Sequence, residues 1–308
     1  MKEVRASLET LRPNRNLFVR EWILGVDENE DLKETSIDLQ LMLVHGSCAT
    51  EQQFHLMLLS LEAKVQATFG DAAVRCFMFD AVGCAKSPVL PNFEDYNAHN
   101  MMEDIQAVVQ KFLDAAVPLV WVGHSYGSSL ILRLLASKRS ELEAYKPRGL
   151  ILLGTAVRPV PNDPSFLPDG GLAVFILPVF ILELLQYFMT LHFTKLAIHP
   201  KHTWLRQACL AGSNANSCFM IRSFYRQTIW ATMDDVVQVA TPSVPVLAIH
   251  GADDGILPLK YAQQLVNAVP NGELRVVDEA SHLVMMERAD DVATTVLDYL
   301  QRHFLKEE

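Results

Sequence analysis

Short runs of apolar, often β-branched residues alternate with longer segments of helical periodicity along most of the chain. The apolar runs are nearly continuous, which is typical of parallel strands that are covered by helices on both faces. We expect strands at residues 37–44, 74–79, 119–122, 150–153, 246–249 and 274–277, with residues 20–24 belonging to an earlier, antiparallel edge. Helical patterns occur at 51–68, 97–115, 125–137, 257–268 and 290–304. This alternation predicts an α/β fold around a mostly parallel sheet.

One interval interrupts the alternation. Residues 155–243 contain no convincing buried strand, and these 89 residues are too many for a simple loop in a compact domain. A proline-rich stretch opens the interval, and Pro242 and Pro245 close it. We therefore expect one α/β core made of residues 1–154 and 244–308, with residues 155–243 inserted as a helical cap, or lid.

Charge and cysteine content narrow the possible function classes. The 308 residues carry a net charge of −10 and no basic cluster, so a phosphate backbone would be repelled and nucleic-acid binding is disfavoured. The five cysteines are an odd number without a C-x-x-C pair, which fits neither a disulfide framework nor a zinc site. Residues 1–20 scatter their charges and lack the apolar stretch of a secretory signal. We expect a cytoplasmic protein.

The pentapeptide Gly123-His124-Ser125-Tyr126-Gly127 stands between a predicted strand and a predicted helix. At such a junction G-x-S-x-G is the pattern of a nucleophile elbow, in which a strained turn exposes the serine hydroxyl. The flanking glycines let strand and helix approach closely without a Cβ clash. We interpret Ser125 as a nucleophile, and the alternative role for a serine at this position is a helix N-cap.

A serine nucleophile needs a base and an orienting carboxylate, and both follow in chain order. Asp253 and Asp254 come after one predicted strand, and His282 comes after the next. Sites on open parallel sheets form at the carboxyl ends of the strands, so these side chains should meet there. We predict that His282 is the base and that one of the two carboxylates, Asp253 or Asp254, orients it.

Acyl transfer also needs backbone N–H donors where the oxyanion develops. The first parallel strand runs into His45-Gly46-Ser47, where Gly46 permits a sharp turn. We predict the N–H groups of Ser47 and Tyr126 as the oxyanion donors. We expect His45 to brace this loop.

Taken together, these segments resemble the α/β-hydrolase fold superfamily, and in particular serine hydrolases of the abhydrolase-domain-containing type. The resemblance runs from about residue 17 to residue 304 and rests on His45-Gly46, the segments 80–87, 123–127 and 251–254, and Ser281-His282. In that family the acid is usually the fourth residue of a G-x-x-D segment, which here is Asp254. The family often has a second glycine after Asp80 where this chain has Ala85, a departure that removes no catalytic group.

The resemblance implies a hydrolase that cleaves an ester or a related acyl bond through an acyl-enzyme on Ser125, without a metal or organic cofactor. The apolar cap sequence favours a lipophilic acyl substrate or a lipid. The alternatives are a non-catalytic binding or scaffold protein of the same fold and an acyltransferase with a lipid acceptor. His99 and Asp104 match an H-x-x-x-x-D pattern associated with some acyltransferases, but we interpret them as part of a solvated helix face.

Within the cap, residues 170–194 contain Glu183 as their only charged residue. Pro178, Glu183 and Gln186 interrupt the apolar run, so we expect no transmembrane helix. Two readings stay open: an apolar lid over the site, or a lid whose outer face also makes peripheral contact with a membrane surface.

Overall fold

The computed structural model describes residues 1–26, 36–69, 72–157 and 176–305. In this part of the chain eight strands form one sheet: β1 (Lys2–Arg12), β2 (Arg15–Leu24), β3 (Leu39–Val44), β4 (Val74–Phe79), β5 (Leu119–His124), β6 (Gly149–Leu153), β7 (Val246–Gly251) and β8 (Gly272–Val277). Their order across the sheet is β1-β2-β4-β3-β5-β6-β7-β8. β2 runs antiparallel to both of its neighbours, and the other neighbouring strands run parallel.

Both faces of the sheet are covered by side chains of helices. In β5, Trp121 belongs to the core on one face, whereas Val120 and Val122 belong to the core on the other. All three side chains are buried. A strand that is covered on both faces needs apolar residues at successive positions, which explains the continuous apolar runs of the central strands.

Ten α-helices accompany the sheet in the described residues. They are α1 (His55–Phe69), α2 (Ala98–Phe112), α3 (Tyr126–Ser137), α4 (Val179–Ala197), α5 (Leu205–Asn214), α6 (Cys218–Tyr225), α7 (Met233–Val239), α8 (Lys260–Asn267), α9 (Val284–Glu287) and α10 (Ala289–His303). The core on one face takes side chains from α1, α9 and α10, and the core on the other face takes them from α2, α3, α6, α7 and α8. The predicted α/β fold with a mostly parallel sheet is confirmed.

The edge beyond β4 differs from the sequence-based expectation. The six predicted parallel strands are present with bounds within two residues, and residues 20–24 lie in an antiparallel strand as expected, but a further strand forms the outermost edge. Residues 20–24 belong to the longer β2, and β1 lies outside it with Leu8 opposite Phe18. The sequence signal for β1 is the alternation of Val4, Ala6 and Leu8 with polar and charged residues, a period of two that is typical of a strand. In the structure these three apolar residues are exposed, whereas the polar residues between them are half-buried.

Helices α4 to α7 lie in the connection between β6 and β7, and α4 packs against α5 and α6. The carboxyl end of α4 is joined to the loop that follows β8. The carbonyl of Leu196 accepts a hydrogen bond from Ser281 Oγ (2.7 Å), and the carbonyl of Ala197 accepts one from His282 N (3.1 Å). The division into core and cap stays a prediction, and residues 158–175 of the expected cap lie outside the described residues. None of the helices in the described ranges has the length and apolarity to cross a membrane.

Candidate active site

Ser125 occupies the turn between β5 and α3. Its backbone has φ 51° and ψ −122°, a conformation that is costly for a residue with a Cβ and that persists only where the surroundings hold it. The Ser125 N–H donates to the carbonyl of Leu153 (2.9 Å), and the Ser125 carbonyl accepts from Ser128 N (3.1 Å). The turn is therefore fixed to the end of β6 on one side and to the first turn of α3 on the other.

The two elbow glycines make this turn possible. A Cβ on Gly127 would lie 2.3 Å from the carbonyl oxygen of Val44 and 2.6 Å from that of His45. A Cβ on Gly123 would lie 2.5 Å from Ser128 Cα. These obstacles are backbone atoms, which cannot swing away as a side chain can. The G-x-S-x-G pattern is thus required sterically, because α3 passes this close to β3 and β5.

His282 and Asp254 meet at the same edge of the sheet. His282 Nδ1 lies 2.9 Å from Asp254 Oδ2, and both side chains are buried. The neighbouring Asp253 points elsewhere: its carboxylate is largely exposed and lies 3.6 Å from His199 Nε2. Of the two acids that the sequence leaves open, the structure brings Asp254 to His282.

The Asp254 carboxylate is held as an anion by several donors. Its Oδ1 accepts hydrogen bonds from the backbone N–H groups of Ile256 and Leu257, each at 2.8 Å, and His250 Nε2 lies 3.3 Å from Oδ2. Burial raises the pKa of Asp254, but His282, through its charge and hydrogen bond, then His250 and the backbone donor outweigh burial, so the pKa is lowered from its ordinary value of 3.8. Asp254 is therefore ionised at neutral pH and can orient an imidazole through Nδ1–H.

The His282 ring lies beside the elbow, next to the residue that precedes Ser125. His124 Nε2 is 3.1 Å from the His282 carbonyl oxygen, and the two imidazole rings are 4.8 Å apart. Gly154, just after β6, makes room for this packing, since a Cβ there would lie 3.0 Å from the His282 carbonyl oxygen. Burial, and then the proximity of His282, lowers the pKa of His124 well below its ordinary value. His124 is therefore neutral and places no second positive charge beside His282.

The loop after β3 approaches Ser125 from the other side. A Cβ on Gly46 would lie 3.2 Å from Ser125 Cβ, so Ser47 begins its turn next to the elbow. His45 fixes this loop as expected: its Nδ1 lies 2.7 Å from the Gly46 carbonyl oxygen, and its Nε2 accepts a hydrogen bond from Ala81 N (2.9 Å). Burial lowers the pKa of His45, which keeps the ring neutral with the proton on Nδ1.

Tyr126 is the first residue of α3, where backbone N–H groups point out of the helix along its axis. A small, mostly apolar cavity adjoins it and the Gly46 turn. Side chains of the sheet loops, of α3 and of α6 line this cavity, among them Cys48, Val82, Leu130, Met220 and Phe224. The geometry thus places an apolar space beside both predicted oxyanion donors.

Two acidic residues to which the sequence analysis assigned no role, Asp80 and Glu287, support the loops of the site. The Asp80 carboxylate accepts hydrogen bonds from Glu51 N (2.9 Å) and Lys86 N (3.2 Å), which ties together the loops after β3 and β4. Glu287 accepts a hydrogen bond from Ser281 N (3.0 Å), immediately before His282. Asp80 stands at the end of a predicted strand, which is a usable signal. Glu287 lies in a short helix without any local pattern that reveals its role.

The H-x-x-x-x-D pair on α2 is not a joint site. His99 is exposed and lies 3.1 Å from Glu103, as expected for a solvated helix face. For Asp104 that expectation is wrong, because its side chain is buried and accepts hydrogen bonds from Arg15 Nε (2.6 Å) and Arg12 (2.9 Å). Two arginines from the β1–β2 hairpin reach Asp104, and this pairing compensates its burial.

Comparisons with known proteins agree with this geometry. Residues 41–295 match a family model described as the alpha/beta hydrolase family. The chain is similar to Protein ABHD8 of Homo sapiens, with 27% identity over 206 residues that cover 67% of this chain and 44% of that protein, so the match spans less than half of the relative. It is also similar to the pimeloyl-[acyl-carrier protein] methyl ester esterase of Vibrio atlanticus (strain LGP32), with 23% identity over 222 residues that cover 69% of this chain and 82% of that protein.

Among solved structures, a thermophilic esterase from Thermogutta terrifontis superposes with a TM-score of 0.69 at 16% sequence identity. The superposition covers 99% of this chain and 100% of the esterase chain. At this level of identity the likeness shows a shared fold.

Proposed function

Because the chain belongs to the alpha/beta hydrolase family, we propose that it is a serine hydrolase that cleaves an ester, or a related acyl bond, of a lipophilic small molecule or lipid. The observation that carries this proposal is the contact of 2.9 Å between His282 Nδ1 and Asp254 Oδ2 beside the strained Ser125 turn. Esterases among the relatives and the structural neighbours support the same reaction class. Residues 155–243 act as the cap in this proposal, and the cytoplasmic location remains a prediction.

The proposed reaction has two acyl-transfer steps. With Nδ1–H donated to Asp254, His282 keeps a lone pair on Nε2 and acts as the general base for the Ser125 hydroxyl. Ser125 Oγ attacks the substrate carbonyl, the N–H groups of Ser47 and Tyr126 stabilise the oxyanion, and the protonated His282 gives its proton to the departing alcohol. Water, deprotonated by His282, then attacks the acyl-enzyme and releases the acid.

Two features of the environment of the His282–Asp254 pair favour this chemistry. The proton that His282 takes up makes it a cation, and the ionised Asp254 stabilises that cation while His124 stays neutral. The apolar cavity beside Gly46 and Tyr126 suits an acyl group better than a charged one. The lipophilic preference rests on this cavity and on the apolar cap helices.

Covalent labelling with a fluorophosphonate tests the nucleophile. Intact mass should show one adduct on the wild type and on Ser137→Ala, an exposed serine of α3 that serves as the control. Ser125→Ala should show none, and turnover of p-nitrophenyl esters should fall at least about a thousandfold. A folded wild type without an adduct contradicts the proposal and favours a binding or scaffold role. An adduct that survives in Ser125→Ala contradicts Ser125 as the nucleophile.

The acyl preference has its own test. The kcat/KM for p-nitrophenyl esters should rise from acetate to longer acyl chains if the cavity and cap accept a lipophilic group. A preference for acetate would refute the lipophilic substrate while leaving serine hydrolysis in place. Addition of a long-chain alcohol separates hydrolysis from acyl transfer, since an acyltransferase would form the new ester at the expense of the free acid.

A further inference from the structure

The outer face of α4 is apolar and uncovered by the described residues. Phe180, Leu184 and Phe188 follow each other at intervals of four, so they share one face of the helix. Their side chains are 63%, 74% and 67% exposed, and Tyr187 beside them is 52% exposed. We call these four residues, with Lys195 on the same face two turns further along, the α4 face.

The rest of the described surface has no comparable group of highly exposed, large apolar side chains. Among the described residues, every large hydrophobic side chain that is more than 60% exposed lies between residues 176 and 204. The set consists of Ile176, Phe180, Leu184, Phe188 and Trp204. Single exposed apolar side chains are common on proteins, but a contiguous group of large ones marks an interaction surface.

The segment that carries α4 has a net charge opposite to that of the chain as a whole. Residues 176–231 contain five basic residues, Lys195, Lys201, Arg206, Arg222 and Arg226, and a single acidic one, Glu183, whereas the net charge of the chain is −10. Lys195, Arg206 and Arg222 make no ion pair with any described residue. Lys195 is exposed and stands seven positions after Phe188, so it lies at the end of the apolar row.

We propose that the α4 face docks on the surface of an anionic lipid bilayer. A helix with an apolar outer face lies in the interfacial plane of a membrane, and nearby cations strengthen this binding through the anionic headgroups. Tyr187 and Trp204 have the amphipathic rings that favour the headgroup level. A second copy of the chain is a poorer partner, because a two-fold contact would bring the same basic regions together.

Docking would place the lipid next to the proposed site. The last turn of α4 accepts hydrogen bonds from Ser281 and His282 through Leu196 and Ala197, so the helix that carries the α4 face is fixed to the loop of the proposed base. Membrane binding itself does not depend on hydrolysis. A failure of either proposal is therefore distinguishable from a failure of the other.

Flotation with lipid vesicles tests the docking surface. The wild type should float with vesicles of phosphatidylcholine mixed with phosphatidylserine, bind pure phosphatidylcholine less, and lose binding as salt is raised. The double variant Leu184→Ser/Phe188→Ser should bind at least about tenfold more weakly. Lys195→Glu should weaken binding to the anionic vesicles about fivefold or more, without changing binding to pure phosphatidylcholine.

The matched control is Leu59→Ser/Val237→Ser, which changes two exposed aliphatic residues on α1 and α7 and should float like the wild type. Circular dichroism and thermal unfolding establish that each variant is folded. Trp204 is a native probe, because the other three tryptophans are buried, and its emission should shift to the blue with anionic vesicles and not in the double variant. Equal flotation of the double variant and the control overturns the proposal, as does a folded wild type that stays unbound, including one that dimerises through α4.

Discussion

The sheet core and helix α4 use the same residue types in opposite ways. In β6, Leu152 is fully buried between helices of the core, whereas Leu184 on α4 is largely exposed. The core strands bring their apolar side chains together and leave polar groups for the loops at their carboxyl ends, where Ser125, Asp254 and His282 gather. Helix α4 turns a row of large apolar side chains outward. Hydrophobicity along a sequence therefore does not reveal by itself whether a segment stabilises the fold or serves a partner.

The largest effect is expected where the core positions its polar groups. Asp254→Asn should lower kcat for a p-nitrophenyl ester about 10⁴-fold, because the amide no longer holds His282 as the Nδ1–H tautomer beside an anion. Asp253→Asn is the matched control, since Asp253 is exposed and does not contact His282. Steady-state kinetics of the two variants decide the matter. Similar losses in both would show that the 2.9 Å contact does not carry the reaction.

The next largest difference should appear in the free energy of unfolding when one leucine is truncated in the sheet core and one on α4. Leu152→Ala leaves a cavity in the core and should lower the free energy of unfolding by about 2–5 kcal/mol. Leu184→Ala should change it by no more than about 0.5 kcal/mol, because little of this side chain leaves water on folding. Urea denaturation measures both. A large loss for Leu184→Ala would mean that α4 is covered in solution, contrary to the exposed face described above.

Substitution of two glycines by alanine compares the space around the backbone at the elbow and in the helix α5. Gly127→Ala should destabilise the protein by about 3 kcal/mol, since the new methyl group would collide with the carbonyl oxygens of Val44 and His45. Gly212→Ala in α5 meets nothing within 4 Å and should stabilise by about 0.5–1 kcal/mol through helix propensity. Thermal and urea unfolding measure whether Gly127→Ala destabilises the protein and Gly212→Ala stabilises it. A neutral Gly127→Ala would show that the elbow has more room than the structure gives it.

The smallest effect concerns the dependence of stability on pH. Because the pKa of Asp254 is lower in the folded protein than its ordinary value of 3.8, ionised Asp254 contributes stability that is present above pH 3.8 and is lost as the pH falls through the folded value. The difference in unfolding free energy between wild type and Asp254→Asn should therefore shrink with acidification below that pH. Urea titrations across the acid range measure it, and a constant difference would contradict the lowered pKa.

Much of the fold could be predicted from the sequence because buried parallel strands leave a strong local signal. The continuous apolar runs and the order of Ser125, Asp254 and His282 along the chain are visible without a structure. β1 was not predicted because none of its residues is buried, so the strand leaves no continuous apolar run in the sequence. The role of Glu287 was not predicted either, since its contact with Ser281 N depends on how α9 folds back on the loop after β8.

The α4 region shows where sequence reasoning stops for a physical reason. An apolar run predicts that a segment avoids water, but the sequence does not specify which neighbour covers it. Only the packing of α4 against α5 and α6, with Leu182 and Ala197 inward and Phe180, Leu184 and Phe188 outward, separates a buried lid helix from an exposed face. The choice between Asp253 and Asp254 likewise needed the three-dimensional contact.

The outer strand β1 has a consequence for how the protein behaves at high concentration. A free sheet edge invites pairing with another chain, which leads to aggregation. Charged side chains oppose such pairing, and β1 carries five within eleven residues: Lys2, Glu3, Arg5, Glu9 and Arg12. This edge of the sheet is therefore poorly suited to extension by a second molecule. Colloidal instability, where it occurs, should arise from α4, and the serine variants made to test membrane docking should also be the more soluble ones.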